Sequence, residues 1–330
     1  MQLSYKNLSI NRKFGIEIEL SNNLSKKKIK SIIEDCSNRN VKVSRYAVSY
    51  DNSNWHVKTD SSCGPRGQHG PNGVEIASFV CNSVADLNHV IKMVKHIKSY
   101  GASVNDYCGL HIHVDASDLN EMSLGRIIMH WLAIEPVLMF ALPIRRWDNT
   151  YCKSLLPKNF PKLIQYQYAM NGYLGIADLY NPDIYDQFAR RKTLNLVNYY
   201  TALRNGTNVR KTIELRWPEG SLDIQDIKGW VCFFVNFVEN VKNRDFSFTE
   251  KLEKNEHLSV ADIFEVLGFG HEENFSIFDK KIYETKTWLL KRFIKNENIY
   301  ECSRILDFFH LSDLQKMIKH QATTLLDLIS

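Results

Sequence analysis

Near its N-terminus the chain carries the segment Phe14-Gly15-Ile16-Glu17-Ile18-Glu19-Leu20, in which apolar and charged side chains alternate. Successive side chains of a β-strand point to opposite faces of a sheet, so Ile16 and Ile18 would face one side and Glu17 and Glu19 the other. The segment predicts a strand that packs on one face and presents two carboxylates on the other. Taken alone, such a pair is also typical of the solvent side of an amphipathic strand.

The same alternation recurs in three later segments. They are Val74-Glu75-Ile76, Gly109-Leu110-His111-Ile112-His113-Val114-Asp115 and Thr212-Ile213-Glu214-Leu215-Arg216-Trp217. Four such strands indicate a sheet whose apolar face is covered by helices and whose other face is a polar cleft. The alternative is that the strands belong to different sheets and that their polar faces are in water.

The rest of the chain mixes strand and helix patterns. Further strands are predicted at 41–50, 55–59 and 194–202, and helices at 25–38, 83–99, 123–142 and 226–243. This arrangement is typical of an α+β domain with a mixed, mainly antiparallel sheet backed by helices. After about residue 245 only helical spacing remains, at 259–267, 279–295 and 311–329. We therefore predict a domain at 1–245 and a helical C-terminal appendage at 246–330.

The composition excludes several classes of protein. The 330 residues are 44% hydrophobic and carry 42 Lys+Arg against 37 Asp+Glu, a net charge of +5. A disordered chain would combine low hydrophobicity with a high net charge. The charge is too small and too dispersed to predict a nucleic-acid-binding surface.

The cysteines and apolar segments predict a cytoplasmic protein without a membrane partner. The seven cysteines form no Cys-x-x-Cys pair and are odd in number, which favours reduced thiols. The N-terminus lacks the apolar region of a secretory signal. The most apolar stretch, 127–144, contains His130, Glu135 and two prolines, so we interpret it as a buried helix.

The polar cleft also predicts metal binding. Several carboxylates that converge in one cleft repel each other unless cations neutralise them, because a buried charge must be paired or must coordinate a metal. Oxygen ligands with few imidazoles favour Mg²⁺ or Mn²⁺ over Zn²⁺.

In their order along the chain, these motifs resemble those of the glutamine-synthetase-like carboxylate–amine ligases, and most closely those of the amidoligases. The resemblance rests on the Glu-x-Glu pair followed by Asp60-Ser61, Gly73-Val74-Glu75-Ile76, Cys108-Gly109-Leu110-His111-Ile112-His113, Arg145 or Arg146 before Tyr151-Cys152, Thr212-Ile213-Glu214-Leu215-Arg216, and Gly220-Ser221-Leu222-Asp223. It covers about residues 14–240. It implies a glutamine-synthetase-like catalytic fold with a curved sheet.

The resemblance implies ATP and Mg²⁺, or Mn²⁺, as cofactors. One ion would be held by Glu17, His111 and Glu214. Another would be held by Glu19 and Glu75. This assignment agrees with the shared faces that the strand alternation predicts.

Further residues are assigned to phosphate and substrate by the same resemblance. His113 would contact substrate or phosphate, and Asp60 would contact the amine or a metal. Arg216, together with Arg145 or Arg146, would stabilise the transferred phosphoryl group. An arginine suits this role because its planar fork binds phosphate oxygens bidentately.

Three other regions are candidates for contacts with ATP or substrate. Arg191 and Lys192 belong to a basic run that would reach ATP phosphates or form a solvated strand end. The glycine-rich loop 61–73 would act as a lid or as an ordinary connection. The tyrosine-rich segment 151–190 would line a pocket or pack over the sheet edge.

The implied reaction joins a carboxylate to an amine. ATP would phosphorylate the carboxylate, and the amine would displace phosphate from the acyl phosphate to leave an amide. Asp60 or Glu75 would accept the proton of the amine. The partners would be small-molecule or peptide carboxylates and amines, and the oligomeric state is left open.

Two other functions use the same residues. One is a phosphotransferase or metal-dependent hydrolase on the same fold, and the other is a non-catalytic binding protein. The complete set of charged cleft residues favours an enzyme, because a site without activity usually loses at least one of them.

Overall fold

We analysed a computed structural model of the chain. It describes residues 12–21, 24–44, 53–63, 73–147, 149–155, 162–183, 185–186, 188–253, 258–268, 280–295 and 311–329. Most of the glycine-rich loop considered as a lid, residues 64–72, lies outside these ranges.

The strands form one mixed, open sheet. They are β1 Phe14–Ser21, β2 Val41–Val43, β3 Trp55–Thr59, β4 Gly73–Ala77, β5 Leu110–Asp115, β6 Leu194–Asn195 and β7 Thr212–Leu215. Their order in the seven-stranded sheet is β2-β3-β4-β1-β5-β7-β6. Only the β2–β3 pair is parallel, and the other pairs are antiparallel. The predicted α+β class is confirmed.

The helices lie between and after the strands. They are α1 Lys26–Cys36, α2 Val84–Ser99, α3 Glu121–Leu138, α4 Lys162–Leu179, α5 Val197–Arg204, α6 Ile224–Val241, α7 Thr249–Glu253, α8 Val260–Val266, α9 Lys280–Lys295 and α10 Leu311–Ile329. Polar caps fix where several of them begin: Ser83 Oγ accepts the Asp86 N–H of α2, and Asp223 does the same for the Gln225 N–H of α6.

The apolar face of β1 is fully covered. Ile16, Ile18 and Leu20 are buried, together with Ile112 of β5 and Ile213 of β7. Helix α6 packs over β5, and α1 packs over β2 and β3. Each such side chain contributes roughly 1.5–3 kcal/mol through removal of its apolar surface from water. This burial leaves the opposite face of the sheet for the polar residues.

One predicted strand is wrong over most of its length. The segment 194–202 forms a strand only at Leu194–Asn195 and then continues as α5. The Asn195 side chain accepts the Val197 N–H, which turns the chain into the helix. The β-branched and aromatic residues suggested a strand. In the structure Val197, Tyr199 and Tyr200 are instead the buried side chains of this helix.

The structure adds detail to two other segments. Helix α4 occupies Lys162–Leu179 of the tyrosine-rich segment 151–190, and it kinks at Gly172, where φ is 57°. The predicted strand 41–50 is present as Val41–Val43, and residues 45–50 lie outside the described ranges.

Helix α3 is the apolar helix predicted to be buried. By length and composition the span Glu121–Ala141 would be able to cross a membrane, and 83% of its apolar window is buried inside the fold. Its buried Glu135 accepts hydrogen bonds from the Leu155 N–H and from Thr193 Oγ1. This burial is what we expect of a core helix.

The three predicted C-terminal helices are present as α8, α9 and α10. Helix α9 packs on α6 and on α10. The Trp288 ring lies so close to Gly229 that a Cβ there would be 2.2 Å from it. Arg292 forms ion pairs with Glu219 and Asp226. The domain boundary at 245 stays a prediction.

Candidate functional site

The register of the sheet aligns the predicted site residues on one face. Glu17 is paired with His111, Glu19 with Glu75, and His113 with Glu214. The alternative in which these strands belong to different sheets is therefore wrong.

The polar face forms the floor of a cavity of about 1160 Å³. Among its lining residues are Glu17, Glu19, Asp60, Glu75, His111, His113, Arg146, Arg191, Glu214 and Arg216. Arg145 and Lys192 are not among the lining residues. The structure thus brings together ten of the twelve residues that the sequence singled out.

At one end of the floor, two carboxylates surround two imidazoles. His113 Nε2 lies 3.4 Å from Glu17 Oε1 and 3.7 Å from Glu214 Oε1. His111 Nδ1 lies 3.4 Å from Glu17 Oε2 and 3.6 Å from Glu214 Oε1. We call these four residues the histidine end of the cleft.

Cations and hydrogen bonds stabilise the charged carboxylates at the histidine end. Burial alone would raise the pKa of Glu17, but His113 and His111 lower it well below the usual value. Burial likewise opposes the charge of Glu214, but Arg216 and the histidines lower the pKa of Glu214. The two carboxylates in turn raise the pKa of His113 against the effect of burial.

The other end of the floor holds more carboxylates and fewer cations. Glu19 Oε2 accepts the Gly109 N–H at 2.6 Å, and Glu19 Oε1 lies 3.5 Å from His111 Nε2. Glu75 Oε1 lies 2.6 Å from Lys58 Nζ. Asp60 also lines the cavity here. We call Glu19, Glu75, Asp60 and the adjacent Cys63 the thiol end of the cleft.

The two ends differ in their electrostatics. Burial and the charges of Glu17 and Glu19 raise the pKa of Glu75 well above its usual value, and Lys58 only partly opposes this. The charged form of Glu75 is therefore destabilised in the metal-free protein, which a divalent cation would reverse.

The donor set fits divalent cations. Glu17, His113 and Glu214 offer ligand atoms within 4.8 Å of one another, and so do Glu19, Asp60 and Cys63. Within the described ranges, buried Glu75 Oε1 and His113 Nε2 form no well-oriented hydrogen bond. Buried polar atoms without such a bond are costly and are satisfied when they coordinate a metal.

The arginines divide into two groups. Arg216 donates to Glu214 Oε1 at 2.6 Å and faces the cavity. Arg146 also lines the cavity, but its guanidinium donates to the backbone carbonyls of Trp217 and Arg216. Arg145 is half exposed and pairs with Asp106. Of the two adjacent candidates, only Arg146 is a cavity residue.

Comparison with known proteins identifies the family. A family model described as "putative amidoligase enzyme" matches residues 10–238. The chain belongs to this family. No curated protein matches it. The family match spans every residue of the cleft named above, whereas helices α7 to α10 lie beyond it.

Sequence reasoning missed several groups around this amidoligase-family cleft. Asn195 Nδ2 donates to Glu214 Oε2 at 2.5 Å, and Lys58 pairs with Glu75. Lys58 follows buried Val57 on β3, so it shows the same alternation of apolar and charged residues as the recognised residues. This alternation would have assigned Lys58 to the polar face. Cys63 had no such signal, because only the tertiary fold brings it to Glu19.

Two side chains of the site lie so close to the Gly109 backbone that they explain the glycine in this motif. A Cβ at this position would lie 2.7 Å from His111 Nε2 and 3.4 Å from Glu19 Oε2. Only glycine leaves room for both side chains while its own N–H binds Glu19.

Proposed function

We propose that this member of the amidoligase family is an ATP- and Mg²⁺- or Mn²⁺-dependent carboxylate–amine ligase that works through an acyl phosphate. The observation that supports this most strongly is the convergence of six carboxylates on one cavity that basic side chains also line. The carboxylates are Glu17, Glu19, Asp60, Glu75, Asp115 and Glu214. We also propose that the sheet is the curved sheet of the glutamine-synthetase-like fold.

The metal ligands in this proposal come from both ends of the cleft. Glu17, Glu214 and a histidine would hold one ion, and His111 and His113 are both near enough to these carboxylates to serve. Glu19 and Glu75 would hold a second. Bound divalent ions would neutralise the phosphate oxygens and make the phosphorus more electrophilic.

The reaction would consist of two balanced steps. A substrate carboxylate oxygen attacks the γ-phosphorus of ATP, and ADP leaves. The amine then attacks the acyl carbon, inorganic phosphate leaves, and an amide remains. The second step releases one proton, for which Asp60 and Glu75 are the candidate acceptors.

Arg216 is the residue that we assign to the transferred phosphoryl group. Its side chain reaches the cavity while its pairing with Glu214 fixes its position. A guanidinium stays charged and binds phosphate oxygens in a fixed geometry. Arg146 would support this residue, because it donates to the Arg216 carbonyl. Arg191 is an additional candidate for ATP phosphates, and Arg145 and Lys192 have less support because they lie outside the cavity lining.

Incubation of the protein with Mg-ATP and pools of amines and carboxylic acids tests the proposal. A ligase must release ADP only when both co-substrates are present, and mass spectrometry must detect a product that has lost water relative to their sum. ADP release with one co-substrate and no amide would indicate a phosphotransferase. Hydrolysis that does not need ATP would indicate a metal-dependent hydrolase, and no turnover would favour a binding protein.

The proposed substrates are small-molecule or peptide carboxylates and amines. A cytoplasmic location, the absence of nucleic-acid and membrane partners, and a possible homo-oligomer stay predictions from the sequence.

A further inference from the structure

A buried thiol, which does not itself line the cavity, lies beside two of the cavity's carboxylates at one end of the cleft. Cys63 Sγ and one oxygen each of Glu19 and Asp60 lie within 4.8 Å of one another. Cys63 and Glu19 are buried, and Asp60 is half-buried. Within the described ranges this is the one group of candidate metal ligands that contains a cysteine.

The backbone holds these three residues in place. Asp60 precedes the short helical turn Ser61–Cys63, which Cys63 ends, and Asp60 Oδ1 accepts the Ser62 N–H at 2.7 Å. The Asp60 N–H donates to the Gly73 carbonyl. The Cys63 carbonyl accepts Asn105 Nδ2 at 3.0 Å. Glu19 is fixed by the Gly109 N–H.

A second observation beside this group points to a cation. Glu75 lies directly opposite Glu19 in the β1–β4 register and is 4% exposed. Its Oε1 forms no well-oriented hydrogen bond within the described part of the chain, although Lys58 lies beside it. At this end of the cleft Lys58 pairs with Glu75 and His111 lies beside Glu19, and Asp60 and Cys63 complete the group around Glu19.

We infer that Cys63 is a ligand, together with Glu19 and Asp60, of the second divalent cation of the cleft, and that this position prefers Zn²⁺ or Co²⁺ to Mg²⁺. Thiolates select borderline and soft cations, whereas Mg²⁺ prefers oxygen alone. The inference rests on the proposed function only for the presence of a cation at the thiol end.

Metal binding at this group is coupled to loss of one proton. The Cys63 S–H bond breaks, the sulfur coordinates the cation, and the proton passes to solvent, with no change of oxidation state. In this arrangement Glu75 is not required as a ligand. It is then available to contact the amine or its proton.

Co²⁺ absorption tests the thiolate ligand directly on the full-length protein. Wild-type protein titrated with Co²⁺ should develop an intense sulfur-to-Co²⁺ charge-transfer band in the near ultraviolet. Cys63→Ser should lose this band and keep the weak visible bands from oxygen and nitrogen ligands. Cys81→Ser is the matched control and should keep the charge-transfer band, because Cys81 is also buried but contacts Ser78 and Phe79.

Two results would overturn the inference. One is the absence of the charge-transfer band in wild-type protein saturated with Co²⁺, and the other is its persistence in Cys63→Ser. Should the variant fail to fold, X-ray absorption of Zn²⁺-loaded wild-type protein decides, because a thiolate ligand gives a Zn–S distance of about 2.3 Å. A spectrum with only oxygen and nitrogen neighbours would contradict the inference.

The inference and the proposed function fail separately. A charge-transfer band without any amide formation would support the Cys63 ligand and contradict the ligase function. Amide formation without the band in saturating Co²⁺ would support the ligase function and contradict the Cys63 ligand.

Discussion

Two clusters of charged side chains in this molecule differ in how completely their charges are paired. Around Arg12, whose side chain is 4% exposed, Asp118 and Glu239 form ion pairs with the guanidinium, and Lys242 binds both of these acids. Two bases thus meet two acids. This cluster ties the start of β1 to the loop before α3 and to the end of α6.

The carboxylates of the cleft are paired less completely. Six carboxylates line the cavity; Glu214 pairs with Arg216 and Glu75 with Lys58, and the histidines supply further charge only when protonated. The Arg12 cluster is complete without any partner from solution, whereas the cleft keeps buried polar atoms without well-oriented hydrogen bonds. The difference distinguishes an electrostatic clamp from a site that requires added cations.

The largest expected effect is on turnover when the histidine end is broken. Glu17→Ala and Glu214→Ala should each abolish metal-dependent ATP turnover, because each removes a proposed metal ligand. Outer partners of metal ligands alone cost 10–100-fold, so we expect a loss of at least about 100-fold. Steady-state ADP release is the measurement, with circular dichroism to verify folding. Asp118→Asn is the control from the balanced cluster and should retain turnover; unchanged turnover in either glutamate variant would disprove the metal assignment.

The next effect is on stability when the balanced cluster is broken. Arg12→Met leaves Asp118 and Glu239 without their shared cation, and loss of one partner of a buried ion pair costs about 3–5 kcal/mol. We expect the low end of this range, because the Asp118 side chain is 46% exposed. Urea denaturation measures the change. A variant as stable as wild type would show that this cluster does not clamp the fold.

Added Mn²⁺ should stabilise the fold through the cleft and not through the Arg12 cluster. Mn²⁺ at about 100 times its dissociation constant should stabilise wild-type protein by roughly 2.7 kcal/mol, because it binds only the folded cleft. Arg12→Met should gain the same increment, whereas Glu214→Gln, which keeps only the ligands of the thiol end intact, should gain less. Thermal denaturation with and without Mn²⁺ gives both values, and equal gains in all three proteins would contradict a cleft-specific site.

The smallest expected effect is a dependence on acid. Burial would raise the pKa of Asp118, but hydrogen bonds from Arg12 and Lys242 lower it from 3.8 to about 2. A lowered carboxyl pKa stabilises the fold above the unfolded value and loses that effect as the pH falls through the folded value. Between pH 4 and pH 2, wild-type protein should therefore lose more of its free energy of unfolding than Asp118→Asn. Parallel pH profiles of the two proteins would rule out this contribution.

The sequence predicted features that depend on local alternation. Glu17, His111 and Glu214 were assigned to one face because each lies between apolar residues in the sequence. The structure buries those apolar neighbours. The helices α1, α2 and α6 were also predicted from their spacing.

Features that depend on long-range packing were not predicted. Strand order brings Cys63 to Glu19, which no pattern in either segment encodes. Arg145 and Arg146 are adjacent in sequence, and only the short helical turn that contains them decides which one enters the cavity. The segment after Asn195 has strand-like composition, but its side chains bury better as a helix.

Uptake of divalent cations by the acid-rich cleft is the property on which the proposed function depends, and direct Mn²⁺ binding tests it most simply. Mn²⁺ is titrated into wild-type protein, and electron paramagnetic resonance follows the sharp signal of free aqueous Mn²⁺. We predict that wild-type protein and Asp118→Asn suppress this signal during the first additions, and that the double variant Glu17→Ala with Glu214→Ala does so much less. A signal that rises with wild-type protein as steeply as in buffer alone would contradict the account.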